Sequence, residues 1–300
     1  MARILVSGLL NTETTARVRG FPISYYPIDY PFFGVGTDVS GVALNLSKAL
    51  KTLGDEVRLT SLIGTDPAAR LVLEELERIG LSREGVLPAL RETPASVVLF
   101  EEGGRRQIYC DLKDIQESAY PFTAQMLDGC EAVAACNINF NRPLLRLARE
   151  RQLLIASDVH VLSDPDDAYN RDFLAAADLL FLSDEGIEGD KAGFLRALGE
   201  RYHNRVLVLG MGASGALLHL PAEGVMLERP AWRIGGAVNT VGAGDALFSA
   251  FLHYTLKGLP PARALDLAQL FAALKIRHSG AARGFPDEGE LADALLRYSQ

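Results

Sequence analysis

Asn239-Thr240-Val241-Gly242-Ala243-Gly244-Asp245 is the stretch of this 300-residue chain whose residue types and spacing most directly suggest chemistry. Small residues at 242–244 let backbone approach a ligand closely, and the apolar run Ala246–Leu252 that follows marks a helix whose first N–H groups point outward. Such a terminus attracts anions and suits the charge that builds on a transferring phosphoryl group. Asp245, in the first turn, is placed to take a proton from an attacking hydroxyl. The same pattern also reads as a tight turn with a surface acid that complements the helix dipole, and spacing alone weighs the two equally. No Gly-Lys-Ser/Thr follows, so this is not a Walker A loop. A G-x-G-x-x-G after the first strand is also missing, which weakens a dinucleotide reading.

The elements that would position these residues repeat a simple rhythm. Ile4–Ser7 reads as a buried strand and Val57–Ile63 as another. Between them Ser40–Leu53 reads as a helix, with Leu46, Ala49, Leu50 and Leu53 on one face and Gly54 as its stop. Asp66-Pro67 is an N-cap followed by proline at the first helical position, opening a helix that Gly80 closes. Strands at Ala132–Cys136, Leu153–Ala156, Leu179–Leu182 and Val206–Leu209 alternate with helical stretches such as Arg142–Arg151 and Lys191–Tyr202. Helices are expected at about 243–257, 261–277 and 288–298. The alternation predicts a mainly parallel sheet with helices on both faces, a three-layer α/β/α domain.

Two stretches break the rhythm. Residues 15–38 carry Phe21, Tyr25, Tyr26, Tyr30, Phe32 and Phe33 among Pro22, Pro27 and Pro31. Residues 95–110 read as a hairpin, Ser96–Phe100 and Arg105–Tyr109 around Glu102-Gly103-Gly104. Both are expected as extended chain outside the main sheet, either a lid or surface loops with stacked aromatics. Lys+Arg 30 against Asp+Glu 38 leaves a net charge of −8, which argues against nucleic acid and gives no attraction to an anionic membrane. No apolar run approaches the ~18 residues of a membrane span, and Ile4–Leu10 lacks the flanks of a signal peptide. Cys110, Cys130 and Cys136 form no C-x-x-C, so neither a disulfide framework nor a zinc site is readable, and a cytoplasmic protein is expected.

The 239–245 segment resembles the D-T-x-G-A-G-D signature of the ribokinase-like (PfkB) carbohydrate kinases, and three further segments match in order. Ser40–Leu50 with Leu53-Gly54 is similar to the family's Gly-Gly-x-x-x-Asn helix start. Leu62–Pro67 with Gly80-Leu81 is similar to its V-G-x-D segment, and Val208–Ala216 to its nucleotide-side strand and glycine turn. The resemblance covers nearly the whole chain. It implies one domain over 1–300 with a ribokinase-like fold and a β lid from about 11–38 and 93–112. The implied reaction moves the γ-phosphoryl group of ATP to a hydroxymethyl group of a small sugar, with Mg²⁺ on the phosphates. Asp245 becomes the general base, and the amides of Gly242, Ala243 and Gly244 the anion hole. Gly8–Glu13 is similar to Gly-Ser-Ile-Asn-x-Asp, which makes Glu13 the sugar-gripping acid and Asn11 its neighbour in the site. Gly41 and Asn45 would also bind substrate, with Asn137 and the lid residue Arg106 as further contacts. Asn139, Arg105 and Tyr109 are weaker candidates. ATP is expected against Gly210, Gly212, Gly215, Thr240, Gly242 and Gly244 and along 268–284.

The departures are specific. Asn239 stands where the signature has Asp, which predicts weak dependence on a monovalent cation such as K⁺. Ser183-Asp184-Glu185-Gly186 replaces the family's Asn-x-x-Glu, leaving Asp184 or Glu185 to reach Mg²⁺ through water. Ser40, Gly210 and Asp158-Val159-His160 also differ from the pattern. A nucleoside kinase of the same superfamily, with Phe33 or Phe100 walling a base pocket, and a non-catalytic sugar or nucleotide sensor remain open as alternatives. The aromatic segment 21–33 also offers a surface for homodimer pairing through the lid.

Overall fold

The computed structural model describes residues 1–102, 105–238 and 240–298. In chain order the strands are β1 (Arg3–Ser7), β2 (Asn11–Arg17), β3 (Val35–Ser40), β4 (Glu56–Ile63), β5 (Val86–Pro88), β6 (Ala95–Phe100), β7 (Arg106–Asp111), β8 (Ala132–Ala135), β9 (Leu154–Val161), β10 (Leu179–Ser183), β11 (Val206–Gly210), β12 (Ala216–Leu220) and β13 (Val225–Arg229). The helices are α1 (Val42–Thr52), α2 (Pro67–Arg78), α3 (Arg142–Glu150), α4 (Arg171–Ala176), α5 (Lys191–Tyr202), α6 (Ala243–Leu256), α7 (Pro261–Lys275) and α8 (Glu288–Tyr298).

Nine strands form one sheet in the order β13-β12-β11-β10-β9-β8-β1-β4-β5, parallel from β5 to β11 and antiparallel only at β12 and β13. Alternate residues face opposite sides, as the strand period requires. Ile4 and Val6 of β1, with Val206 and Val208 of β11, pack on the side of α1, α2, α6, α7 and α8. Leu5, Leu207 and Leu209 pack on the side of α3, α4 and α5. After β1 the chain goes to β4 on one side and later returns to β8 on the other, so the strand order reverses at β1. Ligands of open α/β sheets bind at that reversal, beyond the carboxyl ends of the strands.

The second sheet rises from that edge. Its order is β3-β2-β6-β7, with β2 and β6 parallel and the other pairs antiparallel. The β2–β3 pair springs directly from the end of β1, and β6–β7 follows β5, so both halves of this lid stand over the carboxyl ends. Asp66 fixes the second half: its carboxylate caps α2 at the Ala69 N–H (3.0 Å) and accepts from the Thr93 hydroxyl (2.6 Å), just before β6. The lid was expected within 11–38 and 93–112, and its strands occupy those limits except that β3 runs on to Ser40. The turn residues Gly103 and Gly104 lie outside the described residues. Residues 18–34 between β2 and β3 make no regular element, and Tyr25, Tyr30, Phe32 and Phe33 are exposed on them.

Candidate active site

Asp245 sits in the first turn of α6, behind Gly242, which adopts φ 77°. That left-handed conformation and the Ala281 carbonyl, which a Cβ on Gly242 would approach to 2.5 Å, together require glycine. Gly244 is helical, and beyond its chain neighbours and its own helix backbone no atom of the described residues lies within 4 Å of where its Cβ would be, so space at the helix start is open to a ligand. Ala243 donates its N–H to the Thr240 carbonyl (3.2 Å), so that one of the three expected anion-hole amides already has an acceptor within the turn.

The partner of Asp245 comes from 200 residues away. Asn45, buried near the start of α1, donates from Nδ2 to Asp245 Oδ2 at 2.7 Å. Gly41 makes this possible: at φ 108° it lets α1 begin tight against the Leu9 carbonyl, where any side chain would collide with backbone. α1 then packs directly on α6. Burial pushes the Asp245 carboxyl up from its usual range, and nearby Asp158 adds to this; the Asn45 amide, His160 and Lys275 pull it back. The result is a carboxylate held in place and made more basic than one in water.

On the lid side, Glu13 of β2 lies opposite Asp38 of β3 and Ser96 of β6. It is only 8% exposed, burial raises its carboxyl, and its hydrogen bond is a long one from the Ser40 hydroxyl (3.4 Å). Asn11 donates to Ser96 Oγ (2.9 Å). Asn11 Oδ1 and Asn45 Oδ1 are both buried and meet no donor among the described residues. Arg106 of β7 reaches from the lid to the Thr240 hydroxyl (2.6 Å), bridging the lid and the turn before α6. A buried lysine unremarkable in the sequence, Lys275 at the end of α7, stands close enough to influence both Asp245 and Glu13.

With this geometry in view, the likeness to known proteins becomes informative. The sequence profile of the pfkB family carbohydrate kinases matches residues 1–288. The chain belongs to that family. It is a kinase, an enzyme that phosphorylates a sugar hydroxyl, and its fold is ribokinase-like. An ATP-dependent ribose-1-phosphate kinase of Halopiger xanaduensis is 26% identical over 298 residues, 94% of each chain. Among solved structures, the microbiome-derived acarbose kinase Mak1 superposes with a TM-score of 0.85 at 22% identity over 99% of both chains. A ribokinase of Arabidopsis thaliana complexed with ribose and ATP gives 0.82 at 17% identity, covering 98% of this chain and 99% of that one.

Other expected site residues of this pfkB kinase are engaged elsewhere. Asn137 donates to Asn170 Oδ1 (3.0 Å), and Asn139 bonds Gln116 and Arg142, both as loop braces. Arg105 pairs with Glu101 (2.5 Å) and the Phe21 carbonyl, pinning the aromatic arm, while Tyr109 accepts from Gln107 (2.7 Å). Phe33 is fully exposed. Gly210, Gly212 and Gly215 form the β11–β12 turn, where Gly215 at φ 107° leaves no room for a Cβ against the Arg229 carbonyl. Asp184 is paired with Lys191 (2.5 Å) and Glu185 is exposed; no cluster of three metal-ligating side chains exists among the described residues. Asn239 lies outside the described residues. A cavity of about 600 Å³ has Glu13 in its lining but not Asp245. Its cations Lys48, Arg78 and Arg283 are each paired with Glu75 or Asp38.

Asn141 is the structural residue that motif reading missed. Fully buried, it donates to the Ser7 and Cys136 carbonyls (both 2.9 Å) and accepts from the Ser7 hydroxyl (2.5 Å), locking the carboxyl ends of β1 and β8 together. Only its place after Asn137 and Asn139 hinted at a polar cluster. Among the described residues, no helix is long and apolar enough to cross a membrane.

Proposed function

We propose that this kinase passes the γ-phosphoryl group of ATP to a hydroxymethyl group of a small sugar, with Asp245 as general base. The observation that carries this reading is the Asn45–Asp245 hydrogen bond at the glycine-bearing start of α6. Asn45 orients the carboxylate, and Asp245 takes the proton as the hydroxyl oxygen attacks phosphorus. The N–H groups of Gly242 and Gly244, at the positive end of α6, stabilise charge on the transferring group. Glu13 accepts from two neighbouring sugar hydroxyls, and the unpartnered oxygens of Asn11 and Asn45 accept from others. Arg106 links lid position to the catalytic turn, so closure excludes water where the phosphoryl group moves. Mg²⁺, when bound, neutralises the phosphates. The residues present suit an ion held mainly by phosphate and water, with Asp184 and Glu185 at second hand, since Lys191 already engages Asp184.

A phosphorylated sugar is the second reading. Arg106 brings a guanidinium to the mouth of the site, and the relative matched over 94% of both chains is named for ribose 1-phosphate. The exposed aromatics of 18–34 support a homodimer through the lid, for which sedimentation velocity is the measurement. The three free thiols suit the cytoplasm. The decisive assay is ADP release across sugars, sugar phosphates and nucleosides, with Asp245→Asn in parallel. That variant should lose about 10²-fold or more in kcat on the best substrate. Equal turnover would remove Asp245 as the base, and sugar binding without ADP would make the protein a sensor.

A further inference from the structure

Lys275 ends α7 fully buried, and no step of the transfer above uses it. Its Nζ donates to two backbone carbonyls, those of Val241 and Gly280, the latter at 2.8 Å. The first belongs to the catalytic turn. The second opens the 280–284 loop, whose Ala281 carbonyl forms the wall against Gly242. One ammonium thus joins two irregular segments.

The Val241 carbonyl and the Gly242 N–H are opposite ends of one planar peptide unit. Fixing the oxygen fixes the direction of the N–H, and a charged donor on the oxygen polarises the unit so that the N–H donates more strongly. A buried charge is a poor choice for stability alone, because an apolar side chain of equal reach fills the same space without the desolvation cost. Resting on the anion-hole reading given above, we propose that Lys275 is a positioning residue for phosphoryl transfer. Its ammonium aims the Gly242 N–H at the transferring group and serves as a cation built into the chain at the junction of the two loops.

The groups that act on Lys275 are Asp245 from α6 and Glu13 from β2, which favour its charge, and Arg106 from β7, which opposes it. Burial outweighs them and brings its pKa down to about 8. The ammonium is therefore present at neutral pH and lost as pH rises through about 8, so kcat at saturating sugar and ATP should fall on that alkaline side.

The test uses Lys275→Met and Lys275→Ala in the full chain. Lys275→Met should melt at or above the wild-type temperature while kcat drops about tenfold or more, with KM for sugar changed much less, and its alkaline limb near pH 8 should vanish. In Lys275→Ala, ammonium chloride should restore rate beyond what equal sodium chloride does. Wild-type kcat in Lys275→Met overturns the proposal. So does a wild-type profile that stays flat through pH 9. A joint fall of melting temperature and kcat, with no ammonium rescue of Lys275→Ala, shows a structural role only and overturns it too. Asp245→Asn run alongside separates the two readings: an active Asp245→Asn defeats the base assignment, whereas an inactive one beside a wild-type-like Lys275→Met defeats only the role of Lys275.

Discussion

Replacing Asn45 by leucine, which nearly matches its shape, should change the pH dependence of the kinase in a calculable direction. The amide is 3% exposed and donates at 2.7 Å, so no water takes its place when the donor is removed. A hydrogen bond to a charged group contributes about 1.5–3 kcal/mol. At about 1.4 kcal/mol per tenfold, its loss disfavours ionised Asp245 by roughly 10- to 100-fold. Burial already holds the Asp245 carboxyl above its usual range, and Asn45 is the largest influence opposing that rise. A general base works deprotonated, so the variant should lose activity as pH falls sooner than the wild type does. The measurement is kcat from ADP release at saturating sugar, followed from the alkaline plateau downward. Below the wild-type limb, the ratio of variant to wild-type rate should be about 10- to 100-fold smaller than on the plateau. Saturating sugar matters because Asn45 Oδ1 is also assigned to substrate. A ratio that stays constant across the range would refute the claim that Asn45 acts through the ionisation of Asp245.

Gly242→Ala should lower kcat about tenfold or more with modest loss of stability, because a Cβ at φ 77° would press on the Ala281 carbonyl and displace the turn; unchanged kcat would show that the turn tolerates the shift. Asn141→Leu leaves the Ser7 hydroxyl without its acceptor and takes one donor from each of the Ser7 and Cys136 carbonyls, which keep the Cys136 and Ile138 N–H groups, so denaturant titration should show a loss of about 1–3 kcal/mol. Adding K⁺ at fixed ionic strength should change the rate little, since Asn239 lacks the signature charge and Lys275 already serves two carbonyls of these loops; a large activation would contradict this.

Much of the frame was legible because local signals agree with the global fold. Asp66-Pro67 starts α2 where an N-cap and proline should, and the helix expected over Lys191–Tyr202 is α5 to the residue. The edge pair β12 and β13 was not foreseen as a hairpin, since Ala216–Leu220 is buried at every position and shows no strand alternation. Likewise β9 continues to Val161, past the expected Ala156, because Ser157, Asp158 and His160 look polar in sequence while the sheet still pairs Ser157, Asp158 and, past a register shift, Val161 with β10. The short helix α4 was missed for want of length.

By itself the sequence determined the α/β class, the kinase resemblance and the glycine turn with its acid, because those depend on residue type and spacing within a few turns of chain. Tertiary structure decided which side chains meet. It joined Asn45 to Asp245, put Arg106 on Thr240, diverted Asn137 and Arg105 to bracing roles and tied Asp184 to Lys191. It also made Lys275, unremarkable in the sequence, a fully buried cation on two carbonyls. The physical reason is burial: desolvation makes each carboxylate, amide and ammonium depend on the one partner it is given, and partners hundreds of residues apart are chosen only by packing.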